Sequence, residues 1–403
     1  MEIGRRDLLK TLVASTCLRP FALTAFAAEA TPVDTYVQRI DRLVAHHRRG
    51  VSRLQAPAEL TADALIAGGS LSLGGGDPGW IREGSGRSGG IMHLGEVSKS
   101  KAGDVVWLSY AADSYDAQLK AATDLESKQV AVIAFGPRPA SGAPGFHNWI
   151  DSMTPWNSDQ NLNLMGNVLS LWTLTGELAA ATARKGKTTV FWQSILMPIL
   201  HHEFVGRNDR YQGRMFHEAG EPQMEAVQAG VAAGAYLDSM GKTIHDLQSQ
   251  ELEKVVGLGK EVGRRAAASH PAVYIAITHM VTDEVLGKSK WLAPFKGNND
   301  ARLTAALGSD GYLVWMGYYD GVPSEKWDAV RKANNAKAAW IVVPLPGQNY
   351  DFAKYGDVFI NQHWDPGDAV VAMPGYDVRI LPAMGVTQLF ILEIMRRAAG
   401  VKL

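Results

Sequence analysis

Short apolar runs alternate with amphipathic stretches along this chain. Val105–Tyr110, Val130–Phe135, Leu313–Tyr318 and Ala338–Val343 are largely apolar six-residue runs. Runs that are apolar at nearly every position read as strands buried on both faces, the habit of parallel sheets. Helical periodicity fills the intervals, over Asp116–Ser127 between the first pair of strands and Ser324–Asn335 between the second. Upstream of each pair stand a long amphipathic segment (Thr35–Leu54; Ala235–Val256) and a second helix (Ala58–Ala67; Gly257–Ala268). Each then leads into a strand, one running from Ser70 into Gly74-Gly75-Gly76 and the other over Ala272–Thr278. Downstream, each pair is followed by a further strand and a glycine-led helix (Gly166–Arg184; Gly385–Ala399). Strands alternating with helices predict an α/β protein whose parallel sheets are covered on both faces.

The two series share their order, so the pattern is an internal repeat. A shift of 208 residues, taken without a gap, lays Trp107 on Trp315 and Tyr110 on Tyr318. The expected organisation is a first sandwich over 28–187, a polar and aromatic connector over 188–226, and a second sandwich over 227–403.

Composition adds a compartment. The chain opens Gly4-Arg5-Arg6-Asp7-Leu8-Leu9-Lys10, continues through an apolar stretch to Phe26, and offers Ala25-x-Ala27 as a small-residue cleavage site. This arrangement reads as a twin-arginine export signal over 1–27, and predicts a periplasmic protein. Removing it would change the net charge from −1 to −3. A near-neutral chain carries no electrostatic footprint for nucleic acid. No later apolar run approaches the roughly 20 residues that span a bilayer. The one cysteine, Cys17, lies in the signal, so the mature chain would have no disulfide, thiolate metal site or cysteine nucleophile.

Three stretches resemble the SIS (sugar isomerase) domain family. Gly103-Asp104-Val105-Val106-Trp107-Leu108-Ser109-Tyr110 is similar to the family's "GD" strand, which ends in a serine-bearing loop. Gly356–Asn361, Pro366–Val371 and Pro374-Gly375 resemble the C-terminal half of single-domain phosphosugar-binding members. Thr189–Ser194, continuing to Asn208–Tyr211, resembles their tail. The resemblance implies two flavodoxin-like three-layer sandwiches, tandem SIS-like domains that take a carbohydrate and need no cofactor. It also implies assembly in which subunits share sites, so a homo-oligomer is an expectation. The phosphate loops depart from the family pattern. Ser109 and Ser114 remain in the first loop, but the glycine is gone and Asp113 and Asp116 intrude; the second loop reads Gly317-Tyr318-Tyr319-Asp320. Carboxylates repel phosphate, whereas aromatic rings and carboxylates suit an unphosphorylated sugar.

Candidate residues follow from these placements. Gly75 and Gly76 end the first strand at the sheet's carboxyl edge, where open α/β sheets bind ligands and a bare backbone permits close approach; a flexible surface loop has the same composition. Ser109, Tyr110, Ser114, Thr278, Tyr318, Asp320 and Trp364 complete the expected sugar-binding set. For proton transfer beside a carbonyl, the candidate bases are Glu83, Glu203 and Glu284, with His202 or His279 assisting ring opening. His201-His202-Glu203 is the densest titratable cluster, although adjacent histidines face opposite ways and no HExxH spacing is present. No metal ligand set is therefore assigned, and a metal-dependent hydrolase using His201, His202 and His217 stays a third reading. Two functions remain: an aldose–ketose isomerase, or a non-catalytic sugar-binding or sensor protein.

Overall fold

The computed structural model describes residues 31–194, 206–276, 291–295, 300–318, 325–344, 358–364 and 367–401. The predicted signal over 1–27 lies outside them. The chain begins with α1 (Pro32–Gly50), a 3-10 turn (Val51–Leu54) and α2 (Gln55–Ile66). Thr31 starts α1 with a reciprocal capping box, its hydroxyl accepting from the Asp34 amide while the Asp34 carboxylate accepts from the Thr31 amide. Next come β1 (Leu71–Gly75), α3 (Pro78–Gly84), β2 (Val105–Ser109), α4 (Tyr115–Glu126), β3 (Ala131–Gly136), β4 (Asn148–Asp151) and α5 (Gln160–Arg184). β1 to β4 form a parallel sheet in that order.

After α6 (Arg207–Tyr211), α7 (Val231–Asp246) runs through a π-helical turn (Leu247–Glu251) into α8 (Leu252–Ala267). The sequence pattern places this break at Val256–Gly257; the structure places it earlier, at the π turn. The second sheet holds β5 (Ala272–Ala276), β6 (Leu292–Pro294), β7 (Tyr312–Tyr318), β8 (Lys337–Val343) and β9 (Val358–Asn361). Its order is β6-β5-β7-β8-β9, again all parallel. α9 (Asp300–Leu307) and α10 (Glu325–Asn334) flank β7 in sequence. A β10 (Ala369–Val371) and β11 (Ile380–Pro382) hairpin leads into α11 (Met384–Ala398). At the position β6 takes beside β5, the first sheet has a single parallel bridge, Ser72 to Gly95. The expected α/β fold with parallel sheets is the fold observed.

α5 is buried from Asn161 to Ala183, and α11 from Met384 to Arg396. Helices apolar on all sides belong inside a protein. The two pack against each other, α5 also on α2 and α7, and α11 on α8. They share one central core with the inner faces of both sheets, including Trp107, Phe135, Tyr274 and Ile341.

That core corrects the ungapped alignment. Val105 and Trp107 face the central core, whereas Leu313 and Trp315 face the outer core of the second sheet, where Trp315 lies 5.7 Å from Trp340. Ala131 pairs with Val105 and Ala339 with Val314, and both pairs face inward. The shift is 208 residues from β3 to β8 but 209 from β2 to β7. A one-residue slip exchanges the faces of a strand, so Trp107 and Trp315 point to opposite sides of their sheets.

The connector touches the first half where Phe191 bridges Ile91, and it folds on itself, with Thr189 bridging Phe216 and the Met224 amide donating to the Thr188 hydroxyl at 2.8 Å.

Candidate functional site

At the carboxyl edge of the first sheet, Gly75, Gly76, Ser109, Tyr110 and Ser114 come together. Gly75 has a φ of +128°, and a Cβ there would lie 2.3 Å from the Ser109 carbonyl oxygen. A Cβ on Gly76 would lie 2.6 Å from the Ser114 side chain, and the Gly76 amide donates to the Ser109 carbonyl at 3.0 Å. The glycines therefore let the loop after β1 lie directly on the loop after β2.

The other residues of this edge point inward. Tyr110 is 1% exposed, and its hydroxyl donates to the Pro137 carbonyl at 3.0 Å. Its ring stacks on Phe146 with centroids 5.0 Å apart and meets Tyr115 edge-on. Burial, with Asp151 nearby, pushes its hydroxyl pKa up. This ring belongs to an aromatic core cluster and presents no open face to a sugar. Ser109 is fully buried, with no partner for its hydroxyl among the described residues. The Ser114 hydroxyl accepts from the Ala111 amide at 3.0 Å and shapes the turn into α4. Trp364, expected as a stacking platform, is 4% exposed, and its indole donates to Gln362 at 3.4 Å.

Glu83 sits in the interior between the two halves. It is 1% exposed, and neither carboxylate oxygen has a hydrogen-bond partner among the described residues. Burial raises its pKa, opposed by the Arg87 guanidinium, whose Nε lies 3.7 Å away. The Trp172 indole faces it without reaching hydrogen-bond geometry. Arg87 donates to Asp368 at 2.9 Å, and Asp368 accepts from the Met384 amide at the start of α11. A carboxylate enclosed in this way is closed to a substrate arriving from solvent.

Thr278, His279, Glu284, Asp320, His202 and Glu203 lie outside the described residues, as does the side chain of Tyr318. The backbone of Tyr318 ends β7, paired with Val343. Among the described residues no cluster of three or more His, Asp or Glu has metal-site spacing. No described helix is long and apolar enough to cross a membrane.

Two arrangements were not assembled from the sequence, although it named His217 of the first as a candidate metal ligand. The first is a clasp between the connector and the chain after β10. His217 Nε2 lies 3.0 Å from the Tyr376 hydroxyl, and its Nδ1 lies 3.5 Å from Glu221. Arg207 pairs with Asp377 through two 2.8 Å bonds and lies over the rings of Tyr211 and Tyr376. Burial, reinforced by Arg207 and Arg214, lowers the His217 pKa from 6.5 to about 4. The imidazole is therefore neutral at pH 7 and hydrogen-bonded to the Tyr376 hydroxyl, with the tautomer deciding which of the two donates. Folding favours the neutral form, so this stabilisation is complete above pH 6.5 and is lost as pH falls toward 4. Discounted for solvent screening around Arg214 and Glu221, the effect is about 2 kcal/mol. Urea unfolding at pH 7 and pH 4.5 should show the wild type losing that much relative to His217→Gln, which does not titrate. Parallel pH profiles for the two proteins would exclude the linkage.

The second arrangement is a pair of cavities beside β4. One, of about 300 Å³, is bounded by His47, Arg53, Arg138, Trp149, Asp151 and Met153. The other, of about 320 Å³, is bounded by Arg39, Arg42, His46, Met153, Asn157 and Ser158. Met153 forms a wall of both. His47 is buried against the Leu43 carbonyl and the Ser170 hydroxyl, and burial lowers its pKa. The i, i+3, i+7 spacing of Arg39, Arg42 and His46 puts them on one helix face, a signal the sequence does carry.

No family model and no curated protein sequence matches the chain. Among solved structures, the C-terminal domain of glucosamine-fructose-6-phosphate aminotransferase from Francisella tularensis is similar, with a TM-score of 0.51 and 7% identity. The match covers 92% of this chain and 96% of that domain. A protein from Salmonella typhimurium, provisionally described as sugar-binding, matches with a TM-score of 0.46 and 11% identity, covering 91% of this chain and 99% of its own. One from Clostridium difficile, provisionally described as a phosphosugar isomerase, matches with a TM-score of 0.47 and 8% identity, covering 91% of each chain. At 7% identity the likeness to the Francisella domain shows the fold alone, an α/β fold with parallel sheets as the sequence led us to expect.

Proposed function

We propose that this chain is an exported, carbohydrate-active protein built from two SIS-like halves, with an aldose–ketose isomerase as the first reading. The observation that supports it most is the extent of the fold match. Nearly the whole chain corresponds to nearly the whole C-terminal domain of an enzyme named for glucosamine and fructose 6-phosphate. In this reading the substrate lies over the carboxyl edge of the second sheet. The base is Glu203 or Glu284, since Glu83 is enclosed. It takes the proton from the carbon beside the carbonyl and returns it to the neighbouring carbon, while His202 or His279 moves the ring-opening proton. Thr278, Tyr318 and Asp320 would hold sugar hydroxyls. The twin-arginine signal and the acidic, aromatic loops favour an unphosphorylated sugar in the periplasm.

A non-catalytic sugar-binding protein is the second reading. One observation favours it: at the first sheet's edge Tyr110 and Ser114 are bonded within the protein, and Gly75 and Gly76 are packed against its loops. Incubating the purified protein in deuterated water with free and phosphorylated hexoses separates the two. The isomerase predicts deuterium at the carbon beside the carbonyl, fastest with a free sugar. Thermal stabilisation by a sugar without exchange would establish binding alone, and neither response would overturn both readings.

A further inference from the structure

We infer that the paired cavities beside β4 form one binding site for an acidic oligosaccharide, separate from the carboxyl edge of the second sheet. Arg39, Arg42 and Arg53 are exposed, and none has a carboxylate partner among the described residues. These unpaired guanidiniums give the cavity walls a local positive charge on a chain whose net charge is −1. Arg138 adds a fourth guanidinium, lying over the Trp149 ring at 5.1 Å and 3.7 Å from Asp151. Asp151 is the only carboxylate on either wall among the described residues, and it also accepts from the Met153 amide at 2.8 Å. The walls therefore hold an excess of positive charge, which selects an anion.

Shape selects an extended one. Each cavity reaches the lower end of small-molecule site volumes, about 300 Å³. Arg39, in α1, and Arg53, in the 3-10 turn after it, are separated by roughly 20 Å along the helix at rises of about 1.5 and 2.0 Å per residue. A monosaccharide fills one cavity, whereas charge repeated along a chain meets guanidinium groups in both. Guanidinium forks match carboxylates in two-bond geometry, so a polyuronate supplies complementary groups at intervals. Choosing a saccharide as the carrier rests on the carbohydrate reading above, but the site itself does not need isomerase chemistry.

The test is calorimetric titration of the full protein with hexagalacturonate, with maltohexaose as the neutral hexamer, at low and high salt. The wild type should bind hexagalacturonate, more weakly at high salt, and ignore maltohexaose. Arg42→Gln/Arg53→Gln alters one arginine at each cavity, and both are exposed and unpaired, so it should fold normally by circular dichroism. It should weaken binding about tenfold or more while leaving the hexose response unchanged. Loss of the hexose response with hexagalacturonate binding intact would defeat the isomerase reading alone. Unaltered hexagalacturonate affinity in the double variant, equal binding of maltohexaose, or preferential binding to phosphatidylglycerol vesicles would overturn the site.

Discussion

Replacing Arg87 by methionine should cost about 3–5 kcal/mol of stability, because it strips the buried cation from two buried carboxylates. Arg87 is 4% exposed, and Glu83 and Asp368 are each 1% exposed. Methionine keeps most of the apolar stem, so lost charge and lost hydrogen bonding dominate the effect. The Arg87 bond to Asp368 at 2.9 Å ties the loop after α3 to the residue that leads into β10, whose carboxylate also accepts from the Met384 amide at the start of α11. The Gly89 carbonyl strengthens the same junction by accepting from the Leu381 amide at 2.8 Å. The expected result is a large drop in the urea midpoint at pH 8, with a smaller drop in acid, where Glu83 takes up a proton. Adding Glu83→Gln should recover part of the loss by removing one of the two charges. A variant as stable as the wild type at pH 8 would mean that water reaches the cluster and solvates it.

Such a cluster is hard to read from a sequence. Arg87 stands in a glycine-serine run, Gly84–Gly90, whose composition gives no sign of a buried cation. Asp368 lies 281 positions away. Only tertiary folding brings the two together. The strands were legible because their apolar runs are continuous and bounded, as at Val130–Phe135 against the observed Ala131–Gly136. The face of each strand was not, since an apolar run carries no alternation to show which side faces the central core. Trp315 could therefore be set against Trp107 although they occupy opposite faces. Tyr110 and Trp364 illustrate the same limit at the candidate site. An aromatic residue after a strand has one sequence signature whether it stacks on a ligand or fills a core. The triglycine loop reads in the sequence as a place where a ligand could approach the backbone. What approaches Gly75 and Gly76 is this chain's own second loop.

Gly385→Ala is the substitution that most directly probes how the halves are joined. A Cβ there would lie 2.1 Å from Glu83 Oε1 and 2.4 Å from its carboxyl carbon. The carboxylate cannot withdraw easily, because Trp172 and Arg87 enclose it. Forcing a methyl group into a filled interior costs typically 1–3 kcal/mol, and this contact belongs at the upper end, about 3 kcal/mol. Alanine is otherwise the better helix former by about 1 kcal/mol, so steric conflict must exceed that gain to destabilise at all. A double-mutant cycle isolates the conflict. In a Glu83→Ala background the new methyl group meets the space the carboxylate vacated, and Gly385→Ala should become neutral or stabilising. Glu83→Gln keeps the size of the side chain and should leave the penalty nearly intact. It should also change the pH profile. Burial raises the Glu83 pKa, so its carboxyl favours folding fully below the unfolded value and loses that contribution as pH rises through the folded one. The Glu83→Gln protein should therefore gain stability over the wild type as pH rises, and match it most closely in acid. A penalty for Gly385→Ala that persists unchanged without the Glu83 side chain would place the conflict in the α11 backbone instead.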